Sequence, residues 1–332
     1  MPKKEITICM PVYNGEKYLP ESIGSILDQS FRDFELHIYD DGSTDNSLKV
    51  VRSFKDRRIK ILRGKENRGG IVARTELINS VTTPYCMWLD DDDRYCRTDA
   101  VEYALDCIKS GNYEMVNFAR TIHKDEHGET SDFCDGMYGD FSYCGDRLFE
   151  KFWPTDNLYL FNSKIFMTEI LRASIPDEDV LSRRFCTDDM FFSATWFYVT
   201  KRYLHVATGE PFYEYKDSIG IWGSKRRDYS LQRFGELVKL QYSVFLSLFR
   251  HLNEIRPMND AEMRNFVAGV NFPMLTRMVG NARRMNDDGG RHADAMSKVW
   301  HAAFGADGVH LLNGIDAFQM PQYIDYLHNM MS

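Results

Sequence analysis

An α/β fold, built on a largely parallel sheet covered by helices on both faces, is what the first hundred residues predict. Three observations carry this reading. Short apolar runs alternate with helix-length amphipathic segments, two of the runs end in clustered aspartates, and Gly42 and Gly69-Gly70 stand where a strand gives way to a helix.

The elements follow in order. Ile6 to Met10 is a short apolar run closed by Pro11. From Glu16 to Gln29 the residues Leu19, Ile23, Ile26 and Leu27 fall on one helical face. Phe34 to Tyr39 is strand-like and stops at Asp40. Ser43-Thr44-Asp45 can cap a helix that carries Leu48 and Val51. Ile59 to Leu62 reads as a strand, and Gly69-Gly70 precede a helix from Ile71 to about Ser80. Tyr85 to Leu89 is a strand that runs into four consecutive aspartates, and a helix from Thr98 to Ser110 comes next. Residues 113–220 mix short strands, aromatics and acidic loops. From Tyr229 the chain reads as helical, with Leu231, Phe234, Val238, Phe245, Leu248 and Leu252 on one face and further helices over 260–285 and 291–304. The expected division is an α/β domain over 1–222, with halves over 1–112 and 113–222, and a helical C-terminal extension over 223–332.

Composition narrows the classes. The chain has 332 residues, 43% hydrophobic and 27% charged, as in ordinary globular proteins. A net charge of −8 gives no general attraction to nucleic acid, so an anionic ligand needs local basic groups or a metal ion. The seven cysteines form no CxxC pair and read as reduced, mostly buried thiols. The N-terminus lacks the apolar stretch of a signal peptide, and no window of about 18 apolar residues occurs, so no membrane-spanning helix is expected.

The chemistry is concentrated in carboxylates. Asp40-Asp41-Gly42-Ser43 sits at the carboxyl end of a strand, where open α/β sheets bind ligands. A carboxylate there can accept hydrogen bonds from a base N–H or from ribose hydroxyls, or it can belong to a helix N-terminus. Asp90-Asp91-Asp92-Asp93 follows an apolar strand. Four adjacent carboxylates repel one another and favour a cation, and Mg²⁺ or Mn²⁺ takes one or two carboxylates plus substrate phosphates. Asp188-Asp189 precede an apolar helix; one of them is either a general base or an acid favoured by the helix dipole. Arg74 can pair with phosphate or base oxygens, or stand on the surface.

In order and spacing, Pro11-Val12-Tyr13-Asn14, Asp28-Gln29-Ser30-Phe31, Asp40 to Asp45, Asn67 to Arg74, Asp90 to Asp93 and Thr187-Asp188-Asp189 resemble the family 2 glycosyltransferases with the GT-A fold. The match is dense from residue 5 to about 110 and thin to about 220. The resemblance implies a mostly parallel, Rossmann-like central sheet flanked by helices. It implies that Pro11, Val12, Tyr13, Asn14 and Asp41 line a nucleoside pocket, with Arg74 helping to hold the nucleotide. Asp90 and Asp92 correspond to the acids of the DxD motif: Asp90 or Asp91 would meet ribose, and Asp92 would ligate Mn²⁺ or Mg²⁺. Asp189 corresponds to the catalytic base of inverting enzymes. Asp156-Asn157 correspond weakly to an acceptor-side segment. Asp188 departs from the family's glutamate, and Lys216-Asp217-Ser218 depart from an arginine and then a histidine. Trp222 and Lys225 lie in a stretch that is either a lid over the diphosphate or an exposed linker.

The function expected is transfer of a sugar from a UDP-sugar to a hydroxyl of a saccharide or lipid-linked saccharide acceptor, in surface polysaccharide synthesis. The expected location is cytoplasmic, including the inner face of the cell membrane. An inactive nucleotide-sugar-binding protein and a nucleotidyltransferase are the alternatives; the second should carry a Gly-rich basic loop that Pro11 to Asn14 does not supply. The C-terminal helices offer a surface for packing on the catalytic domain, for a homodimer, or for peripheral membrane contact.

Overall fold

The computed structural model describes residues 4–125, 127–134, 139–152, 161–182, 188–216, 247–263 and 265–266. The elements are β1 (Ile6–Val12), α1 (Leu19–Leu27), β2 (Phe34–Asp40), α2 (Ser47–Ser53), β3 (Ile59–Arg63), α3 (Gly70–Ser80), β4 (Tyr85–Trp88), β5 (Arg94–Tyr95) and α4 (Ala100–Ser110). Then come β6 (Met115–Phe118), β7 (Arg120–Lys124), β8 (Thr130–Cys134), β9 (Phe141–Cys144), α5 (Leu148–Phe152), β10 (Lys164–Met167), α6 (Thr168–Arg172), α7 (Glu178–Leu181), α8 (Asp188–Val199), β11 (Arg202–Val206) and β12 (Tyr213–Lys216). The chain divides into two compact units, one of 1–148 and 156–224, the other of 149–155 and 225–332. The predicted boundary at 222 lies outside the described residues.

In the first unit an eight-stranded sheet runs β3-β2-β1-β4-β10-β6-β11-β9. β1 pairs in parallel with β2 and β4, and β2 with β3, which is the predicted parallel half. β10 then enters antiparallel between β4 and β6, so the sheet is mixed beyond β4. A second sheet, β5-β12-β7-β8, stands beside it. Alternation along the strands fills both faces. Ile6, Ile8, Met10 and Val12 of β1 share a buried cluster with Ile23 and Ile26 of α1 and with Val101, Leu105 and Ile108 of α4. On the other face, Phe166 of β10 and Trp88 of β4 meet the aromatic cluster of Phe161 and Trp196, the latter on α8. α8 is buried from Met190 to Tyr198, so no amphipathic stripe marks it.

Some boundaries differ from those the sequence suggests. Pro11 does not close β1, which continues to Val12 in register with β2. It stands beyond Cys9, the last residue of β1 that pairs with β4, so its missing N–H removes no bond from that ladder. Ser43 and Thr44 do not cap α2. The helix begins later, at Ser47, and Asp45 accepts from the Ser47 N–H at 2.9 Å. α1 begins at Leu19, after a turn closed by Tyr18 N–H to the Gly15 carbonyl. Among the described cysteines, Cys9 and Cys86 are buried with their sulfurs 3.6 Å apart, Cys96 and Cys107 are half-buried, and Cys144 is exposed.

In the second unit a helix covers 247–255, with Leu248 and Leu252 buried, and another begins at residue 260. Asn259 accepts from the N–H groups of Ala261 and Glu262, while Glu262 reaches back to the Asn259 N–H, a reciprocal cap. The fully buried Glu262 is neutralised by Arg256. The remaining predicted C-terminal helical residues, Leu231 to Phe245 and those after 266, lie outside the described residues. Among the described residues no helix is long and apolar enough to cross a membrane.

His205 on β11 is a titratable weak point of this scaffold. It is buried against Phe141, with Nδ1 3.2 Å from the Tyr203 hydroxyl. Burial, and then the Lys164 charge, push it down to about 4 from 6.5. The neutral ring favours the folded chain above about pH 6.5, and this contribution is lost as pH falls toward 4. Urea unfolding at pH 7.5 and pH 5 should show a loss of roughly 2 kcal/mol from this group. In His205→Gln that share of the pH dependence should disappear.

Candidate active site

The site is assembled at the carboxyl ends of β1, β2 and β4, where parallel strands leave their loops free. The loops after β1 and β2 are laced together. Asn14, in the left-handed region with φ 56°, donates its N–H to Ser43 Oγ at 3.0 Å, and its Oδ1 accepts from the Thr44 N–H at 2.9 Å. Gly15 donates to Ser47 Oγ at 2.8 Å, and Glu16 accepts from the Asn46 N–H at 2.8 Å. Tyr13 projects from this double loop, with 48% of its surface exposed. Val12 turns into the core, and its carbonyl accepts from the Asp41 N–H at 2.9 Å, so its side chain is not at the loop surface. Pro11 is half-buried.

Asp41 is buried and accepts from the N–H groups of Arg68 and Gly69, at 3.0 and 2.8 Å. It therefore holds the loop that leads into α3. Gly42 makes this approach feasible: its φ is +71°, and a Cβ there would lie 2.5 Å from the Glu66 carbonyl carbon.

The four aspartates form the turn from β4 to β5, closed by Asp93 N–H to the Asp90 carbonyl at 3.2 Å. Each carboxylate has a different setting. Asp90 receives Arg74 Nη2 and Asn162 Nδ2, both at 3.1 Å. Asp91 turns toward the β1 loop, accepting from the Tyr13 N–H at 3.3 Å, and a Cβ at position 15 would meet its Oδ2 at 2.2 Å, so a side chain there requires the carboxylate to move. Asp93 is buried and receives Asn162 Nδ2 at 2.6 Å and the Lys216 N–H at 3.1 Å. Burial first, then the neighbouring Asp92 and Asp90 charges, push Asp91 and Asp93 well above the usual carboxylate range. Asp92 is pushed up to about 6, by burial and then by Asp90. Among the described residues no other residue donates a hydrogen bond to the Asp92 carboxylate.

This distribution bears on a metal ion. Among the described residues no group of three or more His, Cys, Asp or Glu side chains could hold one unaided. A lone undonated carboxylate in a crowded acidic turn fits the other kind of site, in which a hard divalent cation takes one or two carboxylates and completes its shell with substrate phosphates and water.

Arg74, on α3, lies between two acids. Its Nη2 meets Asp90, and its Nε meets Asp188 Oδ2 at 2.9 Å. The guanidinium stacks over Phe161 at 4.0 Å, and its side chain is only 12% exposed. The surrounding carboxylates raise its already high proton affinity. Asp188 and Asp189 open α8, and Asp189 Oδ1 accepts from the Met190 N–H at 2.8 Å. Asp156, Asn157, Trp222 and Lys225 lie outside the described residues.

Asn162 was not singled out by the sequence, and neither was the Asp91–Gly15 contact. Asn162 follows an aromatic and precedes a short strand, with no local pattern to mark it; its partners lie 72 and 69 positions away.

Residues 7–155 match the sequence model of Glycosyl transferase family 2. An uncharacterized glycosyltransferase of Haemophilus influenzae is 36% identical over 114 residues, 34% of this chain and 45% of that protein. The Escherichia coli protein WfgD, described as a UDP-Glc:alpha-D-GlcNAc-diphosphoundecaprenol beta-1,3-glucosyltransferase, is 32% identical over 118 residues, 34% of this chain and 47% of that protein. The chain thus spans less than half the length of these curated relatives. Among solved structures, S. aureus TarS 1-349 in complex with UDP-GlcNAc superposes with a TM-score of 0.57 at 14% identity, covering 91% of this chain and 90% of that one. The fold is therefore of the GT-A type. Residues 7–155 carry the family 2 glycosyltransferase pattern, and the fold is the one seen in TarS 1-349.

Asn162 should matter to the stability of the acidic turn. Asn162→Leu removes the donor to a buried carboxyl at similar volume, and a loss of about 1–3 kcal/mol is expected in urea unfolding at pH 7.5. Asn162→Asp, which adds a fifth acid, should lose more.

Proposed function

We propose that the protein is an inverting glycosyltransferase that moves a sugar from a UDP-sugar to a hydroxyl of a saccharide or lipid-linked saccharide acceptor in surface polysaccharide synthesis. The observation that carries this reading is the Arg74 bridge. It joins the acidic turn to the first residue of α8, so a candidate leaving-group site and a candidate base share one end of the sheet. UDP-GlcNAc bound by TarS 1-349 and the UDP-glucose chemistry in the name of WfgD support the choice of donor.

In this reading the exposed Tyr13 ring stacks on the base, and Pro11, Asn14 and Asp41 shape the pocket around it. Asp90 and Asp91 line the ribose side of the acidic turn. Asp92 would hold Mn²⁺ or Mg²⁺, which when bound with the diphosphate neutralises charge on the leaving group. Asp189 accepts the proton of the acceptor hydroxyl as that oxygen attacks the anomeric carbon. The bond to the diphosphate oxygen breaks on the opposite face, UDP leaves with the electron pair, and the configuration inverts. We assign residues 1–222 to the catalytic domain and 223–332 to a helical extension. A lipid-linked acceptor would bring the protein to the inner face of the cell membrane.

A thermal-shift screen of UDP-, GDP-, CMP- and dTDP-sugars, with and without Mn²⁺, tests the donor assignment. Stabilisation by a UDP-sugar only with metal is expected, about 2.7 kcal/mol at a hundredfold excess over Kd. Equal response to every nucleotide, or to none, would overturn it. Asp189→Asn should lower turnover about 10²- to 10⁴-fold with donor binding retained; unchanged turnover would refute the base.

A further inference from the structure

We propose that Arg74 is a positioning residue that ties the N-terminus of α8 to the acidic turn and so sets where Asp189 stands, and that it is not a nucleotide contact. The inference rests on Asp189 as the base. It deepens that reading by naming what holds the base in place.

The polar edges of the guanidinium are already engaged. Nε is taken by Asp188 and Nη2 by Asp90, while its face lies on Phe161 and, at 5.8 Å, on Trp88. A phosphate or base oxygen at those nitrogens would have to displace a carboxylate. Nη1 has no acceptor among the described residues, but it is buried.

A second observation comes from the same helix. Gly70 lies one turn before Arg74, an i, i+4 pair on one face of α3. A Cβ at Gly70 would lie 2.6 Å from Asp188 Oδ2. Gly70 therefore makes the room and Arg74 makes the bond, and both act on the one residue next to Asp189. α8 transmits this constraint, because it is buried from Met190 to Tyr198 and cannot shift without repacking.

The test uses the full chain, with UDP plus Mn²⁺ as the binding probe. Turnover is read as UDP release during hydrolysis of UDP-glucose or UDP-GlcNAc, whichever stabilises the protein. In Arg74→Lys, kcat should fall about hundredfold, as for a misplaced catalytic group, while the Kd for UDP stays within about threefold. In Gly70→Ala, thermal stability should hold, since alanine is the better helix former, yet kcat should fall about tenfold because the methyl displaces Asp188. A rise in UDP Kd of about tenfold or more in Arg74→Lys with kcat preserved would make Arg74 a nucleotide contact and overturn the proposal. Wild-type kcat in Gly70→Ala would overturn it as well, and this variant decides the matter if Arg74→Lys does not fold. Asp189→Asn separates the two ideas. If it keeps turnover, the base reading fails; if it loses turnover while Arg74→Lys changes only Kd, only the positioning role fails.

Discussion

The constraint on which this structure turns is the placement of four consecutive carboxylates in one partly buried turn. Full ionisation of Asp90 to Asp93 at close quarters is unfavourable, and burial makes it more so. The fold responds by tying Asp91 to the Tyr13 N–H, Asp90 to Arg74 and Asn162, and Asp93 to the same Asn162 and to the Lys216 N–H. Three of the acids are thereby tied into the scaffold, while among the described residues no other residue donates to the Asp92 carboxylate. The resemblance already set Asp92 apart as the candidate metal ligand, and in space the other three acids are the ones bonded to neighbouring elements.

Meeting that constraint recruits elements from across the first unit. Asn162 comes from the segment before β10, Arg74 from α3, the Tyr13 N–H from the end of β1 and the Lys216 N–H from β12. The small sheet is anchored here too. Arg94 on β5 pairs with Glu214 on β12 at 2.8 Å and with Glu21 on α1 at 3.2 Å, and Lys216 Nζ reaches Glu21 at 2.8 Å. The charges of α1, β5 and β12 are therefore balanced among themselves directly beside Asp93. Lys216 serves both groups, through its N–H to Asp93 and its ammonium to Glu21.

How much of this was legible in the sequence depends on the range of the interaction. β1, β2, β4 and the helices between them are set by local apolar period and by glycine at the turns, and they were read in order. β10 was not legible: Lys164–Met167 is four residues without alternation, and its antiparallel entry is fixed by neighbours on both sides. Asp41 was legible as a residue at a strand end, but its bonds to Arg68 and Gly69 were not, because nothing local marks a carboxylate that holds a loop 27 positions away. The family pattern marked Arg74 and Asp188 separately. Their pairing spans 114 positions and exists only once α3 and α8 pack on the same face of the sheet.

That pairing also gives physical sense to the departure at position 188. The resemblance leads one to expect glutamate there, and the chain has aspartate. Asp188 already reaches Arg74 while its carboxylate lies against Gly70, where an added Cβ would stand 2.6 Å from Oδ2 and displace it. A further methylene at 188 would drive the carboxylate past the guanidinium or into α3, so the shorter acid and the glycine are two halves of one fit. The length of side chain 188 and the emptiness at position 70 are coupled variables. A glutamate introduced at 188 should be read together with the residue at 70, not as an isolated restoration of the family pattern.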